Sequence, residues 1–459
     1  RNNLALLYQY QGRYADAEPL YLEALALRKE LLGSLGPDFA TITDNLAELY
    51  RSQGRYEEAE PLYREALVLT KELLGEKHPD IATSINNLAL LYQSQGRYTE
   101  VEPLLKEALA LTKELLGEKH PNVATSMNNL AGLYYSQGRY TKAEPLLKKA
   151  LALRKELLGE KHPDVASSIN NLAELYRSQG CYTKADPLYR EALVLYKELL
   201  GEKHPDIAAS MNNLALLYQS QGRYTEAEAL YREVLALRKE LLGEKHPDIA
   251  ASMNNLAILY QSQKRYTEAE ALYQEALVLY KEPLGEKHPY IATSISNLAA
   301  LYYSQRRYTE AEPLLREALT LTKELLGEKH PNVAASINNL AVLYKSQKRY
   351  TEAELLYRKA LTLTKELLGE KHPYVASSMN NLALLYYSQG RYEEAEPLFR
   401  DALALRKELL GTSHPDVASS MKNLARLLLA TDRPAEAEAL MKEAAEIAKV
   451  PPSTNNEQC

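Results

Sequence analysis

Apolar residues along this chain recur at helical spacing, and the whole pattern then repeats every 42 residues. Between residues 120 and 161, Met127, Leu130, Ala131 and Tyr134 fall on one face of a helix predicted from Pro121 to about Gln137. Proline at a first helical position is preorganised for the start, and the Asp or Asn that follows it in most copies suits the positive end of the helix dipole. A second stripe, Ala143, Leu146, Leu147, Ala150, Leu151 and Leu157, predicts a second helix from about Tyr140 to Leu158. Gly138 and Gly159 supply the stops. Thr141 and Glu144 have the spacing of a capping box, but Pro145 close behind leaves two starts open. The helix begins either at the threonine, or earlier with a mild bend.

The pair Asn-Leu marks the phase: it recurs from Asn3 through Asn213 to Asn423 in eleven copies without insertion or deletion. Two helices joined by a short turn cannot bury their apolar faces alone, whereas stacking the next pair on top does. The period therefore predicts one elongated solenoid rather than several globular domains. Residues 1–35 form a first repeat, 36–413 nine full repeats, 414–449 a more polar capping repeat, and 450–459 a disordered tail. Arg1-Asn2-Asn3 matches the middle of a helix in the other copies, which predicts further protein upstream.

Tyrosine stands four residues before the turn glycine from Tyr8 to Tyr386, and two residues after it from Tyr14 to Tyr392. A third column holds Tyr21, Tyr63, Tyr189, Tyr231, Tyr273 and Tyr357. Set among Leu and Ala at helical spacing, these read as core rather than as a platform for bases. Composition agrees, because 55 Lys+Arg against 61 Asp+Glu leaves no basic stripe, so no nucleic-acid partner is expected. No apolar run has the length of a membrane span. Cys181 and Cys459 have no metal-site spacing and point to a reducing, cytoplasmic setting, with Cys181 read as a drifted surface position.

The columns Leu88, Ala89, Tyr92, Gly96, Tyr98 and Ala108 resemble the tetratricopeptide repeat, whose usual length is about 34. Val101 departs from the alanine that Ala59 and Ala143 supply. The lengthened second helix and exit loop, as in Leu111 to Pro121, are similar to the repeats of kinesin light chains and their bacterial relatives. That resemblance covers residues 1–449. It implies an all-α, right-handed α-solenoid of eleven helix-turn-helix repeats whose first helices line a concave groove that holds peptides. The coiled-coil heptads of kinesin light chains are not visible here.

Comparison among the copies then locates candidate contacts. The second Asn of each Asn-Asn pair is present in every copy and reads as a structural amide bonding to a neighbouring helix or loop. The position before it carries Asn86, Asn128, Asn170, Asn212, Asn254, Asn338 and Asn380, with Asp44, Ser296 and Lys422 as departures. Four residues on lie Leu90, Leu216, Ile258 and Arg426, and three further on Gln93, Tyr135, Gln219, Gln261, Tyr303, Lys345 and Tyr387. These last two columns vary most, as a face that reads ligands does, although drift on a solvated surface gives the same pattern. Glu48 with Arg51 and Glu174 with Arg177 are spaced to pair with each other.

The expected partner is a peptide segment of another protein, with acidic segments favoured near Lys345, Lys422 and Arg426. Asparagine amides would bond its backbone and apolar side chains would take its side chains. No enzyme activity, cofactor or metal is expected. The nine histidines all precede proline in loops, and stacked helical layers about 8–10 Å apart keep their rings from converging on one ion. A kinesin-light-chain-like cargo adaptor and the sensor arm of a larger signalling enzyme remain alternatives. Finally, Lys264, Arg306 and Lys348 replace the turn glycine, so this section is expected to be looser or to turn differently, and Pro283 is expected to end its helix early.

Overall fold

The computed structural model describes residues 1–32 and 37–449. Among these, twenty-two helices form eleven antiparallel pairs, numbered here as repeats 1 to 11, each with a first and a second helix. In repeat 4 the first helix spans Pro121–Ser136 and the second Tyr140–Leu158, close to the ends predicted from the pattern. The proposed tail, 450–459, lies outside the described residues.

Local chemistry sets each boundary. His120 caps the first helix through Nδ1, which accepts from the Asn122 backbone N–H at 3.1 Å, and every other loop histidine caps its helix in the same way. A cap of this kind is worth about 1 kcal/mol. At the far end Gly138 has φ +67, and the Arg139 N–H reaches the Tyr134 carbonyl at 2.8 Å, closing a Schellman turn. The second helix starts at Tyr140 with no side-chain cap and carries Pro145 inside it. The Thr141/Glu144 capping box is therefore not used. Near the helix start the missing proline N–H forfeits a single bond.

Three expectations are corrected. Lys264, Arg306 and Lys348 take φ 61 and keep the turn made elsewhere by glycine, with the Arg265 N–H on the Tyr260 carbonyl at 2.9 Å. Pro283 does not shorten its helix, which runs Tyr266–Leu284, because the Gly285 N–H still closes on the Lys281 carbonyl at 3.0 Å. Cys181 is buried, not a surface position. It replaces an arginine that elsewhere lies over the tyrosine of the preceding helix, so the smaller side chain settles inward.

One continuous core runs the length of the array. The third tyrosine column is its centre: Tyr21, Tyr63, Tyr189, Tyr231, Tyr273 and Tyr357 are at most 1% exposed. The first column is buried as well from Tyr50 to Tyr386, and the second is mostly half-buried. Burying one such ring contributes about 2–3 kcal/mol.

Successive repeats are then clipped together by arginine. Arg97 lies 3.7 Å over the Tyr92 ring, bonds Glu60 of the preceding repeat at 2.7 Å, and grips Glu100 through two nitrogens. Arg55, Arg265, Arg307, Arg349 and Arg391 repeat this clip. Charge-assisted bidentate contacts of this sort fix geometry as well as adding energy.

First helices of successive repeats also pack directly on one another, which puts them on the inside of the curve. The curve closes on itself. The Nε2 of His246, His288, His330, His372 and His414 lies 2.9–3.2 Å from the backbone carbonyl of Tyr10, Ser52, Ser94, Ser136 and Ser178, each time 236 residues away. One superhelical turn thus takes between five and six repeats, and the loop rim of the second turn sits on the turn rim of the first. Nδ1 accepts from the cap N–H, so Nε2 must carry the proton and donate it.

Candidate functional site

The inner face of the first helices carries the columns singled out from the sequence. Its backbone is an amide ladder between repeats. The Nδ2 of Asn45, Asn255, Asn381 and Asn423 donates to the Oδ1 of Asn2, Asn212, Asn338 and Asn380 at 2.8–3.1 Å. The second Asn of the pair is therefore structural, as read from the sequence, and the first Asn is its acceptor in these repeats. Asn254 is buried and donates to Ser294 Oγ at 3.1 Å. Among the described residues, the buried Oδ1 atoms of Asn86, Asn128, Asn170 and Asn254 have no hydrogen-bond partner, nor does that of Asp44.

Two of the candidate positions four residues on are open: Leu90 is 40% and Ile258 38% exposed. Leu216 is half-buried against the core, and Arg426, like Lys422, is exposed. The next column is largely engaged with the core. Gln219 and Gln261 accept from the hydroxyls of Tyr231 and Tyr273 at 3.1 Å, as Gln9 does from Tyr21 at 2.9 Å. Glu48 and Glu174 accept from Tyr63 and Tyr189 at 2.7 and 2.6 Å and pair with Arg51 and Arg177 as predicted. Tyr135 bonds Glu174 and Ser178 of the next repeat at 2.7 Å, and Tyr303 bonds Ser346 at 2.8 Å. Tyr387 lies against Tyr392, ring centres 5.6 Å apart. Gln93 and Lys345 are half-buried, and burial holds the Lys345 amine below its ordinary pKa.

This engagement follows a rule the sequence reading missed. Where the second helix presents Tyr21, Tyr63, Tyr189, Tyr231 or Tyr273, one of the two inner columns of the same repeat supplies an acceptor. Where it presents Leu147, Leu315 or Phe399, the inner column carries Tyr135, Tyr303 or Tyr387. The signal was available as co-variation among copies between positions twelve or fifteen residues apart. Repeats 3 and 9 break the rule: Gln93 stands with Leu105, and Lys345 offers no acceptor, so the Tyr357 hydroxyl, on a side chain 1% exposed, is without a partner among the described residues.

Cavities open along this ladder, with one of about 120 Å³ beside Asn86. One of about 380 Å³ is lined by Asp44, Asp80, Thr70 and Asn87, and one of about 240 Å³ by Ser296, Asn332 and Ser336. Burial pushes the Asp44 carboxyl up to about 7, against a hydrogen bond from Asn87 that lowers it. Burial lowers His288, His330, His372 and His414 while their ring nitrogens hold the cap and the rim contact. Among the described residues, no group of three His, Cys, Asp or Glu could hold a metal ion. No helix described is long and apolar enough to cross a membrane.

Three comparisons place this architecture. Crystal structures with similar chains include BtubC (BKLC) from P. vanneervenii, at 29% identity and TM-score 0.40, covering 51% of this chain and 92% of that one. A kinesin-light-chain-type protein of Podosopora anserina with nearly identical TPR-like repeats is 27% identical at TM-score 0.37, covering 45% and 97%. A Rap protein complexed with competence and sporulation factor shares the fold at 14% identity and TM-score 0.53, covering 81% and 99%. No curated protein sequence matches the chain. The tetratricopeptide repeat family matches in nine segments, 1–67, 38–114, 80–156, 122–182, 164–240, 208–282, 290–366, 346–408 and 374–449. With helix pairs, turn glycines and buried tyrosine columns in phase throughout, the chain belongs to the tetratricopeptide repeat family.

Proposed function

We propose that this protein is a non-enzymatic scaffold that holds extended peptide segments of other proteins along the inner face of its first helices. The observation that carries this is the exposed apolar side chains of Leu90 and Ile258, which stand in one column of the inner face beside the asparagine ladder. Packed helices lie about 8–10 Å apart and an extended peptide advances about 3.3 Å per residue, so a bound segment meets this column at roughly every third residue. The apolar positions select among the side chains of the segment. Lys345, with no ion pair among the described residues, and the exposed Lys422 and Arg426 support a preference for acidic segments toward repeats 9 to 11.

The test is selection from a displayed random-peptide library, followed by fluorescence anisotropy on the enriched peptides. Leu90→Glu with Ile258→Glu alters exposed positions only and should weaken those peptides about tenfold or more, or roughly 1.4 kcal/mol and upward. Unchanged affinity in the double variant, or no enriched peptide at all, rejects the groove as the binding face.

A further inference from the structure

The inner face is the wall of a narrow bore. One superhelical turn takes between five and six repeats, as the 236-residue step of the clasp shows. First helices packed about 8–10 Å apart then place their axes on a circle of roughly 8–9 Å radius. A helix with its side chains has a radius of about 5–6 Å, so the free bore is roughly 4–8 Å across. A further α-helix, about 10–12 Å thick, does not fit inside it. An extended chain fits by its backbone, about 4.8 Å wide, but with its side chains it needs about 10 Å. The cavities of about 120, 240 and 380 Å³ along the asparagine ladder are recesses in the wall where such side chains have room. A segment whose side chains fill recesses does not slide lengthwise through the bore. It has to be laid in from the side.

The side of the bore has one line of weakness. Within a superhelical turn, neighbouring repeats are joined by packed helices, the tyrosine core and the arginine clips. Across the seam between turns, helix contacts are far sparser. The seam is closed by the five clasps, each a ring Nε2 on a turn carbonyl with the following proline seated on the turn glycine. All five covered turns carry glycine, and a Cβ built on any of them would stand 3.0 Å or less from the Cδ of that proline. The fit is close but shallow, so the clasps can part without disturbing the core of any repeat.

We propose that this seam is a gate: an extended segment of a partner protein enters the bore sideways between the two superhelical turns, and the clasps close behind it. This rests on the inner face being the binding face. The gate sets the rates of entry and exit, and the wall sets the affinity. Two of the five clasping loops carry tyrosine where the others carry Asp248, Asn332 and Asp416. Tyr290 and Tyr374 are 53% and 62% exposed, with ring centres 4.8 and 5.0 Å from those of the clasp residues His288 and His372. They give the parting edge apolar surface for an incoming chain.

Two measurements test the gate, and the first needs no peptide. In the triple variant His288→Ser, His330→Ser, His372→Ser, the new side chain still caps each helix but presents no Nε2 to the turn carbonyl. Ile258→Cys places a thiol in the bore, and its alkylation by a maleimide-bearing polyethylene glycol polymer is compared with that by N-ethylmaleimide, the parent chain serving as blank. The ratio of polymer to small-reagent rates should rise about tenfold when the three substitutions are added, with helix content by circular dichroism unchanged. The second measurement locks the seam. A Cβ built on Gly138 lies 3.9 Å from the Cβ of Pro373, within the span of a disulfide. In the double variant Gly138→Cys, Pro373→Cys, oxidation should slow both association and dissociation of a fluorescent library-selected peptide about tenfold or more, and reduction should restore both. A peptide bound before oxidation should stay trapped. An alkylation ratio indifferent to the three histidine substitutions, or a locked chain that exchanges peptide as fast as the reduced one, overturns the gate. Peptides whose binding ignores Leu90→Glu with Ile258→Glu defeat the inner-face reading instead, and the parting of the seam is then judged by the alkylation ratio alone.

Discussion

Replacing Asp44 with asparagine, the residue at this position in most other repeats, should stabilise the protein at neutral pH. The Asp44 carboxyl sits against a cavity of about 380 Å³, with one oxygen buried and unpartnered and only the Asn87 amide bonding the group. Its pKa rises from 3.8 to about 7 because burial penalises the charged form more than that bond favours it. The folded value lies above the unfolded one, so the folded state keeps its proton where the unfolded state has released it. The stability this gives is present below 3.8 and is lost as pH rises through about 7. A shift of this size corresponds to about 4 kcal/mol at most, and water reaching the partly exposed side chain reduces it to about 1–2 kcal/mol.

An asparagine in place of Asp44 would be neutral at every pH, would still accept from Asn87 and would add an amide donor. Urea unfolding of Asp44→Asn followed by circular dichroism, with amide exchange across repeats 2 and 3 to localise the change, should show a gain of about 1–2 kcal/mol near pH 8 that vanishes toward pH 4. Equal midpoints near neutrality, or a gain that grows as the solution is acidified, would refute the reasoning, since both require a carboxyl that is not held protonated by burial.

Two further outcomes follow from the same structure. His288, His330, His372 and His414 have pKa values lowered by burial from 6.5, so the stability they lend the rim is present above about 6.5 and is lost as pH falls through their folded values. Imidazolium has no lone pair at Nδ1 to cap the helix. Small-angle scattering should therefore show the superhelix expanding under mild acid while helix content holds, and an unchanged radius of gyration with all helices intact near pH 4 would count against the clasp. The tyrosine column gives opposite results in two repeats. Tyr357→Phe removes a buried hydroxyl without a partner and should be neutral or stabilising by about 1 kcal/mol, whereas Tyr189→Phe removes a bond to Glu174 and should cost about 1–2 kcal/mol in urea unfolding. The same sign for both would contradict the assignment of partners.

The amino-acid pattern alone specified the helices, their ends to within a residue or two, the buried tyrosines, and the Glu48–Arg51 and Glu174–Arg177 pairs. All of these depend on neighbours within one repeat or the next, where spacing in the chain translates directly into spacing in space. It also marked the inner face, but not which of its residues are occupied. Gln219 and Gln261 looked free in the sequence because the buried hydroxyls of Tyr231 and Tyr273 that they serve lie on the other helix. The partner of that bond could have been found by comparing copies. The clasp could not.

Contacts between residues 236 apart depend on a small rotation accumulated over five to six repeats, and no local pattern encodes that sum. The three-dimensional fold was needed to separate the covered turns from the open ones. It thereby explained why Gly12, Gly54, Gly96, Gly138 and Gly180 must be glycine while Lys264, Arg306 and Lys348, in the same column, need not be. The same accumulated twist gives the later loop histidines a second partner that the earlier ones do not have among the described residues.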